Sequence, residues 1–161
     1  VTNAAERVWG AEGCGMGEIL AIHHVSLIVS DTGRALSFYQ GVLGLAVNPE
    51  RPDLGYPGAW LWVGERQIHL LEVPNPDPVE GRPAHGGRDR HLALAVSDLD
   101  AVARRLDGAG VAYQRSRSGR DALFCRDPDA NVVELIALPA RGNAVTATQQ
   151  PQNDHPAGAR G

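Results

Sequence analysis

His24-Val-Ser-Leu-Ile-Val-Ser-Asp31 returns later in the chain as His91-Leu-Ala-Leu-Ala-Val-Ser-Asp98. In both copies a histidine opens a short apolar run and Ser-Asp closes it. His69-Leu-Leu-Glu-Val-Pro74 is answered in the same order by Glu134-Leu-Ile-Ala-Leu-Pro139. A unit that occurs twice, with a metal-type side chain at each of four matched positions, points to one shared metal site.

Outward from the repeat, the local patterns define a module. His24, Ser26, Ile28 and Ser30 alternate with Val25, Leu27 and Val29, the period of a half-buried strand. Asp31 offers a helix N-cap, Leu36, Tyr39 and Leu43 recur at helical spacing, and Gly44 supplies a stop. The second copy repeats this. His91, Ala93 and Ala95 share a strand face, Asp98 caps a helix with Leu99, Val102 and Leu106 on its apolar side, and Gly108 and Gly110 end it. Three short strands follow each helix, near 46–48, 59–63 and 67–73 in the first half and 113–115, 122–126 and 132–138 in the second. Asp127-Pro-Asp-Ala-Asn131 forms the last turn.

Each half thus reads β-α-β-β-β. The fold class is α+β: paired βαβββ modules forming one curved mixed sheet, a cup whose concave face carries the histidines. The expected organisation is a flexible arm at 1–18, a single domain at 19–139 and a disordered tail at 140–161. Within the domain, module one spans 19–74, a proline-rich linker 75–89 and module two 90–139.

Composition narrows the function classes. The 43% hydrophobic and 21% charged fractions are those of an ordinary globule, and a net charge of −4 disfavours nucleic acid and acidic membrane surfaces as partners. No apolar run reaches the length of a membrane span. Cys14 and Cys125 stand far apart with no C-x-x-C, which reads as two reduced thiols in a cytoplasmic protein.

The repeat, with Ala35-Leu-Ser-Phe-Tyr, Val42-Leu-Gly-Leu45 and Asp127-Pro-Asp-Ala-Asn-Val-Val-Glu134, resembles the vicinal oxygen chelate superfamily: glyoxalase I, bleomycin- and fosfomycin-resistance proteins and extradiol dioxygenases. Trp60-Leu-Trp-Val-Gly64 and Gly81-Arg-Pro-Ala-His-Gly-Gly-Arg-Asp-Arg-His91 are similar to its glyoxalase-I-like subgroup. The resemblance carries the family's metal ligands onto His24, His69, His91 and Glu134. It implies one divalent ion, a small-molecule substrate and a homodimer, in several members with the site shared between chains. Two departures stand out. Glyoxalase I has glutamate where this chain has His69, and the family's usual turn glycine is Ala130.

Imidazoles with one carboxylate suit Zn, Ni, Co, Mn or Fe(II). The leading expectation is a glyoxalase-I-like isomerase or lyase acting on a substrate with vicinal oxygens, such as the thiol adduct of a 2-oxoaldehyde. Glu134 would move the proton, and His69 would act as ligand or as acid–base group. The alternatives are an Fe(II) extradiol-type dioxygenase, with His24, His91 and Glu134 as its triad, and a non-catalytic binding or resistance protein. Trp60 and Trp62 share a strand face and read as core packing or as an apolar substrate wall. His85 and Arg88, with Arg82 and Arg90, read as a solvated basic loop or as an anion clamp that Gly86-Gly87 lets move.

Overall fold

The computed structural model describes residues 19–138. The expected arm at 1–18 and the tail at 140–161 lie outside the described residues, as does Cys14. Module one begins with β1 (His24–Val29). The Asp31 carboxylate then accepts the Arg34 amide at 2.7 Å and caps α1 (Thr32–Leu36). Glu72 fixes the same helix end, accepting the Thr32 amide at 2.8 Å and the Thr32 hydroxyl at 2.7 Å. The chain continues in a π-helical turn (Ser37–Val42) that buries Phe38 and Tyr39. Strands β2 (Ala46–Asn48), β3 (Gly58–Val63) and β4 (Arg66–Glu72) complete the module.

Module two repeats the order with β5 (His91–Val96), α2 (Leu99–Gly108), β6 (Tyr113–Arg115), β7 (Ala122–Arg126) and β8 (Val132–Ala137). Asp98 caps α2 through the Ala101 amide at 2.8 Å, and Leu99, Val102, Ala103 and Leu106 are its buried face. The strand order is β1-β4-β3-β2 in one sheet and β5-β8-β7-β6 in the other. The first and last strand of each module run parallel and the remaining neighbours antiparallel.

The fold is α+β with paired βαβββ modules, as expected, and each module forms its own four-stranded mixed sheet. Strands β1 and β5 are the facing edges, and side chains rather than a backbone ladder join them. Asn131 donates to the Ile28 carbonyl at 3.0 Å, and Asp129 accepts the Ser30 amide at 3.0 Å. A cleft of about 340 Å³ lies between the edges, lined by Val25 to Ile28 on one side and by His91 and Leu92 on the other.

A single apolar core nevertheless runs through both modules, from Val29, Tyr39, Leu61 and Ile68 to Leu94, Leu106, Leu123 and Leu135. One polar pin crosses it. The Tyr39 hydroxyl donates to Asp127 Oδ2 at 2.9 Å, and the same carboxylate accepts the Asn131 amide at 2.8 Å and its side-chain nitrogen at 2.8 Å. Burial raises the Asp127 pKa, and raises that of Tyr39 well above its usual value. Cys125, buried beside them, has its thiol pushed up to about 12, so it is an inert core residue.

The linker is more than a connector. A 3-10 turn (Gly86–Arg88) folds back onto β7 and β8. A Cβ at Gly86 would lie 2.8 Å from Phe124 Cβ and 2.8 Å from Val132 Cγ1. Gly86 is therefore required for close approach of the turn to β7 and β8. Arg82 is equally fixed. Its guanidinium grips Asp89 through two bonds of 2.9 and 3.1 Å, Arg126 adds a third at 2.9 Å, and Arg82 above all holds the Asp89 carboxyl down to about 2.

Candidate functional site

Strand register assembles the candidate residues. In module one, Ser26, His69 and Trp60 sit side by side across β1, β4 and β3, with His24 diagonal to His69. In module two, Ala93, Glu134 and Phe124 occupy the equivalent row, with His91 diagonal to Glu134. The sequence repeat is thus a repeat in space, because side chains two apart share a strand face.

Each module brings its own pair together. His24 and His69 stack with ring centroids 4.1 Å apart and planes 13° from parallel. Trp60 covers the other side of His69 at 4.4 Å, so the imidazole is sandwiched. His69 Nε2 lies 2.8 Å from Gln67 Oε1. With the amide oriented this way the Nε2–H donates and Nδ1 keeps the lone pair. Burial first, and then neighbouring His24, lower the His69 pKa and favour the neutral ring. His23 is not isolated from this group, since its Nδ1 approaches His24 Nδ1 at 2.9 Å.

The second pair is tighter. His91 Nε2 meets Glu134 Oε2 at 3.0 Å, while His91 Nδ1 lies 2.8 Å from the Asp89 carbonyl. A carbonyl only accepts, so Nδ1 carries the proton and Nε2 is aimed at the carboxylate, the anchoring found behind metal-bound histidines. Glu134 is 2% exposed and its Oε1 has no hydrogen-bond partner. Arg120 lies 3.5 Å from that oxygen, an ion-pair distance without hydrogen-bond geometry.

Among the described residues no three histidine, cysteine, aspartate or glutamate side chains come together as a set able to hold a metal ion. The quartet is thus two half-sets, one per module, within one chain. The donor chemistry of the halves fits a borderline divalent cation: imidazole nitrogens with free lone pairs and a buried carboxylate oxygen lacking a partner.

Of the other residues, Trp60 is half-buried against His69 and Trp62 is 37% exposed on the same face. His85 packs on Phe124 with centroids 5.3 Å apart, and its Nδ1 accepts the Gly87 amide at 3.0 Å, capping the 3-10 turn. Arg88 is exposed beside it. Arg117 and Arg120, which the sequence reading passed over, stand opposite on the β6–β7 loop. The proximity of Arg120 to Glu134 arises only when β7 and β8 pair, so the sequence carries no local signal of it.

No described helix is long and apolar enough to cross a membrane. "Glyoxylase I 4" of Arabidopsis thaliana is 29% identical over 122 residues, covering 73% of this chain and 70% of its own. A lactoylglutathione lyase of Haemophilus influenzae is 32% identical over 128 residues, covering 73% and 92%. Among solved structures, the fosfomycin resistance protein FosX of Listeria monocytogenes, complexed with Mn(II) and a dihydroxypropylphosphonic acid, superposes with a TM-score of 0.60 at 18% identity, covering 76% and 95%. Residues 21–135 match the glyoxalase family, and the chain belongs to the Glyoxalase/Bleomycin resistance protein/Dioxygenase superfamily.

Proposed function

We propose that the protein is a metal-dependent isomerase or lyase of the glyoxalase I type, acting on a small substrate with two adjacent oxygens, such as a 2-oxoaldehyde thiol adduct. The observation that carries this reading is Glu134: a buried carboxylate with one oxygen on His91 and the other without a hydrogen-bond partner. His24, His69, His91 and Glu134 would hold the ion. A divalent ion bound there supplies Lewis acidity to the two substrate oxygens.

The chain's own residues do the rest. Glu134 takes the proton from the carbon beside the carbonyl and returns it to the neighbouring carbon, so the substrate gains and loses no atoms. Asp89 keeps His91 in one tautomer, and Trp60 holds His69 in place. Because each chain carries two half-sets, we propose a homodimer in which module one of one chain faces module two of the other. A cytoplasmic location fits the lack of a readable disulfide framework.

A second reading draws on His69, whose Nε2 is engaged by Gln67. With His69 off the ion, His24, His91 and Glu134 form a two-histidine, one-carboxylate set, suited to thiol transfer or to Fe(II) oxygen chemistry.

Elemental analysis of protein purified without chelator tests both. His24→Ala, His91→Ala and Glu134→Ala are expected to lose the metal and His69→Ala to lose part of it; equal retention in all four sinks the site. Mixing His24→Ala with Glu134→Ala subunits should regenerate hemithioacetal turnover if the site is shared between chains. No turnover by metal-loaded wild type with several thiols rules out the isomerase.

A further inference from the structure

Gln67 stands two residues before His69 on β4, so the two side chains share a strand face. Strand register places it between His24 on β1 and Trp62 on β3. Its Oε1 lies 2.8 Å from His69 Nε2. That contact sets His69 apart from the other two candidate imidazoles. His91 is tied at Nδ1, by the Asp89 carbonyl at 2.8 Å, and aims Nε2 at Glu134. His24, its counterpart in the repeat, is also tied at Nδ1, by His23 Nδ1 at 2.9 Å. His69 is tied at Nε2, and among the described residues its Nδ1 has no hydrogen-bond partner.

A neutral imidazole carries one ring proton, and an amide oxygen only accepts. The His69 proton is therefore on Nε2 and the lone pair on Nδ1. Stacking keeps the ring from exchanging these places. Trp60 lies against one face, with centroids 4.4 Å apart and planes 11° from parallel, and His24 lies against the other at 4.1 Å and 13°. A half-turn of the ring would drive its edge through that sandwich. We propose that Gln67 is a positioning residue: by holding the Nε2–H of His69 it makes Nδ1 the nitrogen that this ring offers to a divalent ion, the opposite nitrogen from His91. The proposal rests on the reading of His24, His69, His91 and Glu134 as the holders of the ion. It deepens that reading by naming the residue that selects the donor atom at position 69. Loss of an outer hydrogen-bond partner of a ligating histidine costs about ten- to a hundredfold in metal affinity. Gln67→Leu removes the acceptor and frees the proton to sit on either nitrogen, whereas Gln67→Glu keeps an acceptor in place.

Long-range proton–nitrogen NMR spectra of the metal-free protein read the His69 tautomer, and competition with a chromophoric chelator reads Zn(II) affinity. The samples are the wild-type protein, Gln67→Leu and Gln67→Glu. The wild type is expected to show the Nε2–H tautomer, with the Nδ1 resonance of His69 the one that shifts on adding Zn(II). Gln67→Leu should mix the tautomers and weaken Zn(II) binding about tenfold or more. Gln67→Glu should retain the wild-type tautomer. An Nδ1–H tautomer in the wild type, a tautomer or Zn(II) affinity unchanged in Gln67→Leu, or a Zn(II)-induced shift at His69 Nε2 overturns the proposal. Zn(II) bound with no shift at either His69 nitrogen also overturns it, and leaves His24, His91 and Glu134 as the set. The Nε2–H tautomer in a wild type that takes up no Zn(II) defeats the proposed metal chemistry instead, and leaves the hold of Gln67 on the ring standing.

Discussion

Ala130 sits at φ +64°, in the left-handed region where a Cβ crowds the following carbonyl. The resemblance to a family with glycine at this turn marked the residue as a departure, and its backbone shows the departure to be strained. Ala130→Gly should raise stability by about 1 kcal/mol, read as a higher midpoint in urea with an unchanged slope; an unaltered or lower midpoint would refute the strain. At this scale the strand positions of His24, His69, His91 and Glu134 were legible because each opens or sits within a strand whose period is obvious. Arg82 was not. As one arginine in a basic loop it suggested an anion clamp, but its carboxylate, Asp89, is seven residues away, and only folding closes that ion pair. The unpartnered Glu134 oxygen was equally hidden, since burial is decided by neighbours from β5, β7 and the linker.

Among the elements, β2, β6 and β7 begin and end where alternation and turn residues place them. The first helix departs more. Leu36, Tyr39 and Leu43 have ordinary helical spacing, yet the chain passes from α1 into a π-helical turn closed by Leu43 N–H to the Phe38 carbonyl at 2.9 Å. Spacings of three and four residues cannot register one added residue in a single turn. The 3-10 turn after the prolines was illegible for a related reason: its place is set by contact with β7 and β8, not by its own propensity. Gly86→Ala should therefore destabilise the protein by about 1–3 kcal/mol through overpacking against Phe124 and Val132. Gly87→Ala, whose added Cβ would meet only the rings of His85 and Phe124 at 3.2 Å and beyond, should cost less. Equal costs in thermal unfolding would refute the close-packing argument.

Across the whole molecule, the two modules are held by a shared core and by the Tyr39–Asp127 pin. The pin gives stability a pH dependence with a definite sign. Burial raises the Asp127 pKa above its ordinary 3.8, so the folded state holds this proton more firmly than the unfolded chain. The corresponding stability is fully present below the unfolded pKa and is lost as pH rises through the folded one. Urea unfolding across that window should show this fall in the wild type and not in Asp127→Asn, whose baseline is lower because Asn131 and Tyr39 lose an acceptor. Tyr39→Phe removes one donor to a buried carboxylate and should cost about 1–3 kcal/mol, extending the window upward. An Asp127→Asn profile parallel to wild type would refute the assignment.

The division of the candidate donors also bears on how such a chain can change. The carboxylate and its histidine are braced entirely from module two and the linker, whereas the stacked imidazoles are braced from module one. Under the proposed function, exchanging the side chain at position 69 would alter one half of the donor set while leaving in place the bonds that fix His91 and Glu134. The two halves are thus separately adjustable on one doubled scaffold.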